Sequence, residues 1–197
     1  EDHDIELGSP EFMEIYYGQC NGQCNILTID INIKIIGVGK RRDDCVIIGG
    51  LYMIGGDWSS RHQTTNVNVS NLTLRDSQWN GIKVEGATVR LDNVSIEHSG
   101  GRGIEIVDTK HSCMKNCNVS YSNNSGLDVG QSTIMTIYVN DTTIHHNCTE
   151  EDSWDYGLYT PYNTSTIRLA PHLNIEEIST NNGGRGNRGG RGTIEII

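Results

Sequence analysis

KNCNVSYSNNSGLDV, residues 115–129, decides the fold once it is set beneath DNVSIEHSGGRGIEI (92–106) and SNLTLRDSQWNGIKV (70–84), because the three align without a gap. Their glycines fall at 81, 103 and 126, so the steps are 22 and 23 residues. A fourth copy, NDTTIHHN (140–147), reaches its glycine only at Gly157, 31 residues on, with the extra length in CTEEDSWDY. Self-similarity at this period marks a stack of supersecondary units rather than one closed sheet.

Apolar residues alternate within each copy: Leu72 and Leu74 then Ile82 and Val84, Val94 and Ile96 then Ile104 and Ile106, Cys117 and Val119 then Leu127 and Val129. Alternation over so few residues, bounded by turn formers, reads as short strands with one buried face. A further run precedes each pair at Val67 and Val69, Val89 and Leu91, and Ile137 and Val139. Three short strands per turn of about 22 residues is the arithmetic of a parallel β-helix. The turn between the second and third strands carries Ser77, Ser99, Ser122 and Asn147, which are expected to hydrogen-bond along the stack. The glycine before each Ile-x-Val is expected to supply a turn conformation that a side chain hinders.

The rest of the chain fits one domain. Its 197 residues suffice for a sizeable core but crowd two, and the 6% aromatic content suits short strands and turns. A net charge of −10 argues against a general nucleic-acid binder. No apolar run approaches the roughly 20 residues of a membrane span. Residues 1–12 lack a signal-peptide pattern, and GSPEF before Met13 reads as an expression-vector scar, leaving 13–197 as the domain. With no secretion signal after that scar, the location leans to the inside of a cell. Six cysteines are present, and the CNGQC pair, Cys20 and Cys24, has a metal-like or disulfide-like spacing but no further ligands at recognisable spacing. Sequons at Asn71, Asn93 and Asn118 recur at matching places of the repeat, which composition explains before glycosylation does.

INIKIIGVGKRRDDCVIIGG (31–50), with its Ile-Gly-x-Gly turn and Val-Ile-x-Gly strand, and the later Asn-Gly-Ile-x-Val phrases resemble the right-handed parallel β-helix, or pectin-lyase-like, superfamily. The resemblance spans about Ile26 to Ile197. It implies an all-β, single-stranded, right-handed solenoid of about five to seven coils, roughly 22–23 residues each. It implies no single activity, since the superfamily includes lyases, polygalacturonases, epimerases, tailspikes and non-catalytic modules. The combined polygalacturonase set, the Asp-Pro-His of alginate epimerases and the pectin-esterase Gly-x-x-Asp-Phe do not occur. No catalytic residue of the family therefore carries over.

If the Gly-Ile-x-Val strands stack in register, their outward residues form a column of Lys83, Glu105, Asp128, Tyr159 and, at its end, Glu195. Neighbouring rungs are about 4.8 Å apart, so Glu105 and Asp128 are close enough to share a proton, hold Ca²⁺ or act as acid and nucleophile on a glycosidic bond. Lys83 beside them would neutralise a uronate or relieve the repulsion, and a mixed-charge column is also what a solvated face looks like. The insertion at 148–156 adds Trp154 and Tyr156 as flat walls, with His145 and His146 just before it and Arg102 in the preceding turn. GGRGNRGGRG (183–192) reads as a mobile loop between two strands.

Three functions follow as expectations. The first is a non-catalytic module presenting an extended face to a protein or glycan partner, with Tyr159, His145, His146, Trp154, Tyr156 and Arg102 as contacts. The second is a polysaccharide lyase, epimerase or hydrolase using Glu105, Asp128 and Lys83. The third is a structural stalk. No metal ligand set is expected beyond Ca²⁺ at Glu105 and Asp128. The apolar strand at Ile197 suggests part of a longer protein and self-association through an uncovered last coil.

Overall fold

The computed structural model of the protein describes residues 3–7, 13–14, 25–55, 65–139, 141–150 and 154–197. Strands run parallel along three faces of a coil. The first face orders His3–Leu7, Ile33–Gly37, the front halves of Asn66–Arg75 and Thr88–Glu97, Ser112–Lys115, Ile134–Ile137, Thr166–Leu169 and Thr193–Ile196. The second face begins with Met13–Glu14 and Val46–Ile48 and continues through the back halves of the two long strands. It then runs through Asn118–Ser120, Thr143–His145 and Ser179–Thr180. The third is a seven-stranded sheet of Ile26–Ile29, Gly50–Ile54, Ile82–Glu85, Ile104–Val107, Leu127–Val129, Leu158–Thr160 and Arg188–Gly190. This is a parallel β-helix. His3–Leu7, from the stretch set aside as a scar, lies beside Ile33–Gly37. Cys20 and Cys24 lie outside the described residues.

The core is built from like residues on successive rungs. Ile82, Ile104, Leu127 and Leu158 stack on the third face, and Leu74, Ile96 and Val119 on the second, all sealed from water. Each such side chain contributes about 1.5–3 kcal/mol on burial. Outward residues alternate with these, which is why the sequence reads with period two. In the fourth coil the buried first-face pair is Met135 and Ile137 rather than Ile137 and Val139, because the chain has already left the strand at Val139.

Repeat length varies more than the sequence suggests. Ile82 to Ile104 is 22 residues and Ile104 to Leu127 is 23. Leu51 to Ile82 and Leu127 to Leu158 are 31, and Leu158 to Arg188 is 30. Strand pairing is kept on either side of each longer step.

The repeated glycines have a different reason from the one expected. Gly81, Gly103 and Gly126 are not in the left-handed region. A Cβ on Gly103 would sit 2.3 Å from Val119 Cγ1, and one on Gly126 2.5 Å from Ile144 Cγ2. They are required because the second face packs its branched side chains against their α-carbons. The turn is instead made by Asp76, His98, Tyr121 and His146, at φ 55°, 54°, 58° and 54°.

The polar row is also placed differently. Ser77, Ser99, Ser122 and Asn147 are buried at equivalent positions, but the Ser99 and Ser122 hydroxyls have no hydrogen-bond partner, and Ser77 Oγ donates to the nearby carbonyl of Asn80. Only Asn147 bonds along the axis, its Nδ2 donating to Asn182 Oδ1 at 3.0 Å. A second ladder sits at the bend between first and second faces, where Asn93 Nδ2 donates to Asn71 Oδ1 at 2.8 Å and Asn71 Nδ2 donates to Gly37 and Gly39 carbonyls. Two of the sequon asparagines thus have their amides committed to the stack.

The Gly/Arg run is not all loop. Arg188–Gly190 is the third-face strand after Leu158–Thr160, and the rung beside Tyr159 is therefore Gly189. Thr193–Ile196 belongs to the first face, where Glu195 pairs with Arg168 at 3.0 Å, so Glu195 is not in the column. The described cysteines Cys45, Cys113, Cys117 and Cys148 are free thiols, and burial pushes Cys117 up to about 11 and Cys148 up to about 12. Among the described residues no helix is long and apolar enough to cross a membrane.

Candidate functional site

The third face aligns Tyr52, Lys83, Glu105, Asp128 and Tyr159 on five consecutive rungs. Each is the outward residue between two core residues, so the coil itself fixes their order. Arg102 enters from the turn just before the Glu105 strand. Its Nη1 donates to Glu105 Oε1 at 2.9 Å, and its Nε lies 2.6 Å from Asp128 Oδ2, an ion pair without hydrogen-bond geometry. Asn80 completes the cluster: Nδ2 donates to Glu105 Oε2 at 2.8 Å and Oδ1 accepts from the Arg102 backbone at 2.9 Å.

Asp128 is the deepest of these groups, at 4% exposure. Burial pushes its carboxyl up to about 7, a rise that Arg102 opposes and Glu105 and Asp155 reinforce. Asp155 is itself held by Ser125, whose Oγ donates to it at 2.9 Å. Two carboxylates on adjacent rungs are tolerable here because a guanidinium stands between them.

Lys83 serves another pair. Its Nζ lies 2.7 Å from Glu85 Oε1, 4.9 Å from the Tyr52 ring centroid and 5.9 Å from that of Trp79. Tyr52 donates its hydroxyl to Glu85 Oε2. Burial, then the Glu85 carboxylate, pushes Tyr52 up to about 12. Burial works against ionised Glu85, but hydrogen bonds from Lys83 and Tyr52 hold it below the usual range. At the far end the rings of Tyr156 and Tyr159 are 5.4 Å apart, and Tyr156 covers Gly189 so closely that a Cβ there would meet its ring at 2.3 Å.

The face therefore reads, along the axis, as aromatic, cation, acid–guanidinium–acid, aromatic. It brings together Lys83, Arg102, Glu105, Asp128, Tyr156 and Tyr159 from among the residues expected from sequence. It does not bring in Trp154, whose 71% exposed ring stacks under the Arg185 guanidinium at 3.6 Å. Nor does it include His145 and His146, which follow the second face, where His98, Tyr121 and His146 stack at 4.9 and 5.4 Å. His145 meets Tyr121 edge-on, and its Nδ1 is 2.8 Å from that of His146.

Sequence reading missed Tyr52, Trp79, Asn80 and Glu85. Tyr52 occupies the Lys83 position of a coil that lacks the Asn-Gly phrase, and Asn80 is the residue before the repeated glycine. A Ca²⁺ ion at Glu105 and Asp128 would have to displace Arg102. Among the described residues no group of three or more His, Cys, Asp or Glu side chains is placed to hold a metal.

A family model described as "Right handed beta helix region" matches residues 50–187, which takes in the rungs from Tyr52 to Tyr159. No curated protein and no solved structure matches the chain.

Proposed function

Because the chain belongs to the right-handed β-helix family, we propose that it is a non-catalytic module that binds a glycan lengthwise along its third face. The observation that supports this is the double engagement of Arg102. With Glu105 and buried Asp128 both held by one guanidinium, neither carboxylate is free to act as nucleophile or base, while the exposed edges of Arg102 and Glu105, braced by buried Asn80, can exchange hydrogen bonds with sugar hydroxyls. Trp79, 49% exposed, and Tyr159 supply flat faces at either end of that polar centre. An aromatic–polar–aromatic strip suits an extended polymer better than a compact ligand, since each rung repeats the contact at about 4.8 Å.

Affinity electrophoresis against a panel of neutral and uronate polysaccharides tests this. Retention by at least one class is expected, with no release of products, and Trp79→Ala with Tyr159→Ala is expected to abolish it at unchanged melting temperature. Failure of every polysaccharide to retain the protein, or retention indifferent to the double variant, overturns the reading.

One observation favours a second reading as a polysaccharide-active enzyme. Asp128 is pushed up to about 7 beside Glu105, a difference in protonation of the kind acid–base pairs use. Turnover of a polymer that Asp128→Asn eliminates would support it.

A further inference from the structure

A cleft of about 250 Å³ opens on the first face, lined by Lys34, Asn66, Asn68, Thr88 and Arg90 over a floor of Ile33 and Val67. Register puts Lys34, Asn68 and Arg90 at the same outward position on three successive rungs. The two cations are thus about 10 Å apart at the backbone, within reach of one small ligand seated over Asn68. Beyond Lys34 the register places Asp4, and beyond Arg90 it places Cys113. Among the described residues neither Lys34 nor Arg90 forms an ion pair, whereas Arg75, Lys83, Arg102, Lys115 and Arg168 all do. No carboxylate is among the described side chains that line the cleft, so in a chain of net charge −10 Lys34 and Arg90 make it a local reversal of sign, with Asp4 one rung outside.

We propose that this cleft binds an oxyanion, a sulfate, phosphate or carboxylate group, with the Arg90 guanidinium and Lys34 ammonium on its charged oxygens and Asn68 between them as a neutral partner. The site lies on a different face from the glycan strip and does not depend on it. The anion is either a free ion or a charged substituent of a polymer, and the chemistry of recognition is the same.

The test is a titration of the whole chain with sodium sulfate, phosphate and acetate against chloride at matched ionic strength, read by melting temperature and amide chemical shifts. A saturable response centred on Asn68 is expected, weakened about tenfold in both Arg90→Gln and Lys34→Gln, as for loss of one charge-assisted hydrogen bond, and unchanged in Lys110→Gln. All three replacements are at exposed positions, and circular dichroism checks the fold. A response equal in the three variants, or no response to any anion, overturns the proposal. Sulfated and uronate oligosaccharides then separate the sources: tighter binding than the free ion, with the same dependence on Arg90, assigns the cleft to a polymer substituent. Binding of the free ion alone assigns it to a small anion.

Discussion

Arg102 holds two carboxylates on successive rungs, Glu105 at 2.9 Å and Asp128 at 2.6 Å, from a position three residues before the first and one coil before the second. That link joins a local turn contact to a contact across the stack, and its cation offsets part of the burial that disfavours ionised Asp128.

Stability should report this through pH. Asp128 titrates at about 7 in the folded chain against an ordinary value of 3.8, so between those values the folded state holds a proton that the unfolded state has lost. Its contribution is therefore full below about pH 4, declines as pH rises and is gone above about 7. Urea unfolding from pH 4 to 8 should show Asp128→Asn gaining stability relative to wild type as pH increases. A constant difference across the range would mean the carboxyl titrates normally. Arg102→Gln should raise the Asp128 value further, read by carboxyl carbon shifts in NMR.

The ring stack gives an opposite dependence. His145 is held below its ordinary 6.5, first by burial and then by His146, so the unfolded chain takes up the proton earlier and this contribution weakens as pH falls below about 6.5. Tyr121→Ala removes stacking on both His98 and His146 and should destabilise by about 1–3 kcal/mol, two ring pairs at roughly 0.5–1.5 each. Denaturant midpoints measure it.

Gly103→Ala should destabilise by about 1–3 kcal/mol, because the new Cβ has Val119 Cγ1 at 2.3 Å and the Gly126 carbonyl at 2.7 Å and must push two rungs apart. Pairing Gly103→Ala with Val119→Ala should recover part of that loss, since it removes the methyl in the way. Full additivity of the two costs in a double-mutant cycle would contradict the packing account.

On the binding face, Trp79→Ala and Tyr159→Ala should each weaken glycan retention, while Trp154→Ala should not, because Trp154 is turned to Arg185 instead. Quantitative affinity electrophoresis distinguishes these outcomes. Loss of retention with Trp154→Ala would shift the binding surface to the 148–156 insertion.

The alternation of Ile104, Glu105 and Ile106 and the 23-residue step to Asp128 made the coil and the neighbouring carboxylates legible, since both follow from period and spacing. What bridges them was not, because Arg102 lies in a turn, where side-chain direction depends on backbone dihedrals that a repeat does not encode. The repeat marks the glycine as a fixed position without its reason, since the second-face methyl that excludes a side chain comes from 16 residues away in the next coil, Gly103 against Val119. Rung order sets Lys83 beside Glu105, yet Glu85, two residues along its own strand, is the ion-pair partner the structure gives it. Glu195 falls outside the column because the Gly/Arg run, with no apolar residue to advertise a strand, supplies the rung after Tyr159 through hydrogen bonds to its backbone, Leu158 N to Asn187 O at 2.9 Å and Thr160 Oγ1 to Gly189 O at 3.2 Å among them.

The uneven coil lengths carry a last consequence. Ladder bonds set the pitch, so a corner can lengthen by eight or nine residues, as between Leu127 and Leu158 or Leu51 and Ile82, without shifting the rungs on either side. Shape and ornament are thus inherited separately in this chain: foreign segments grafted at those corners should alter what the surface displays while the ordered face beneath stays aligned.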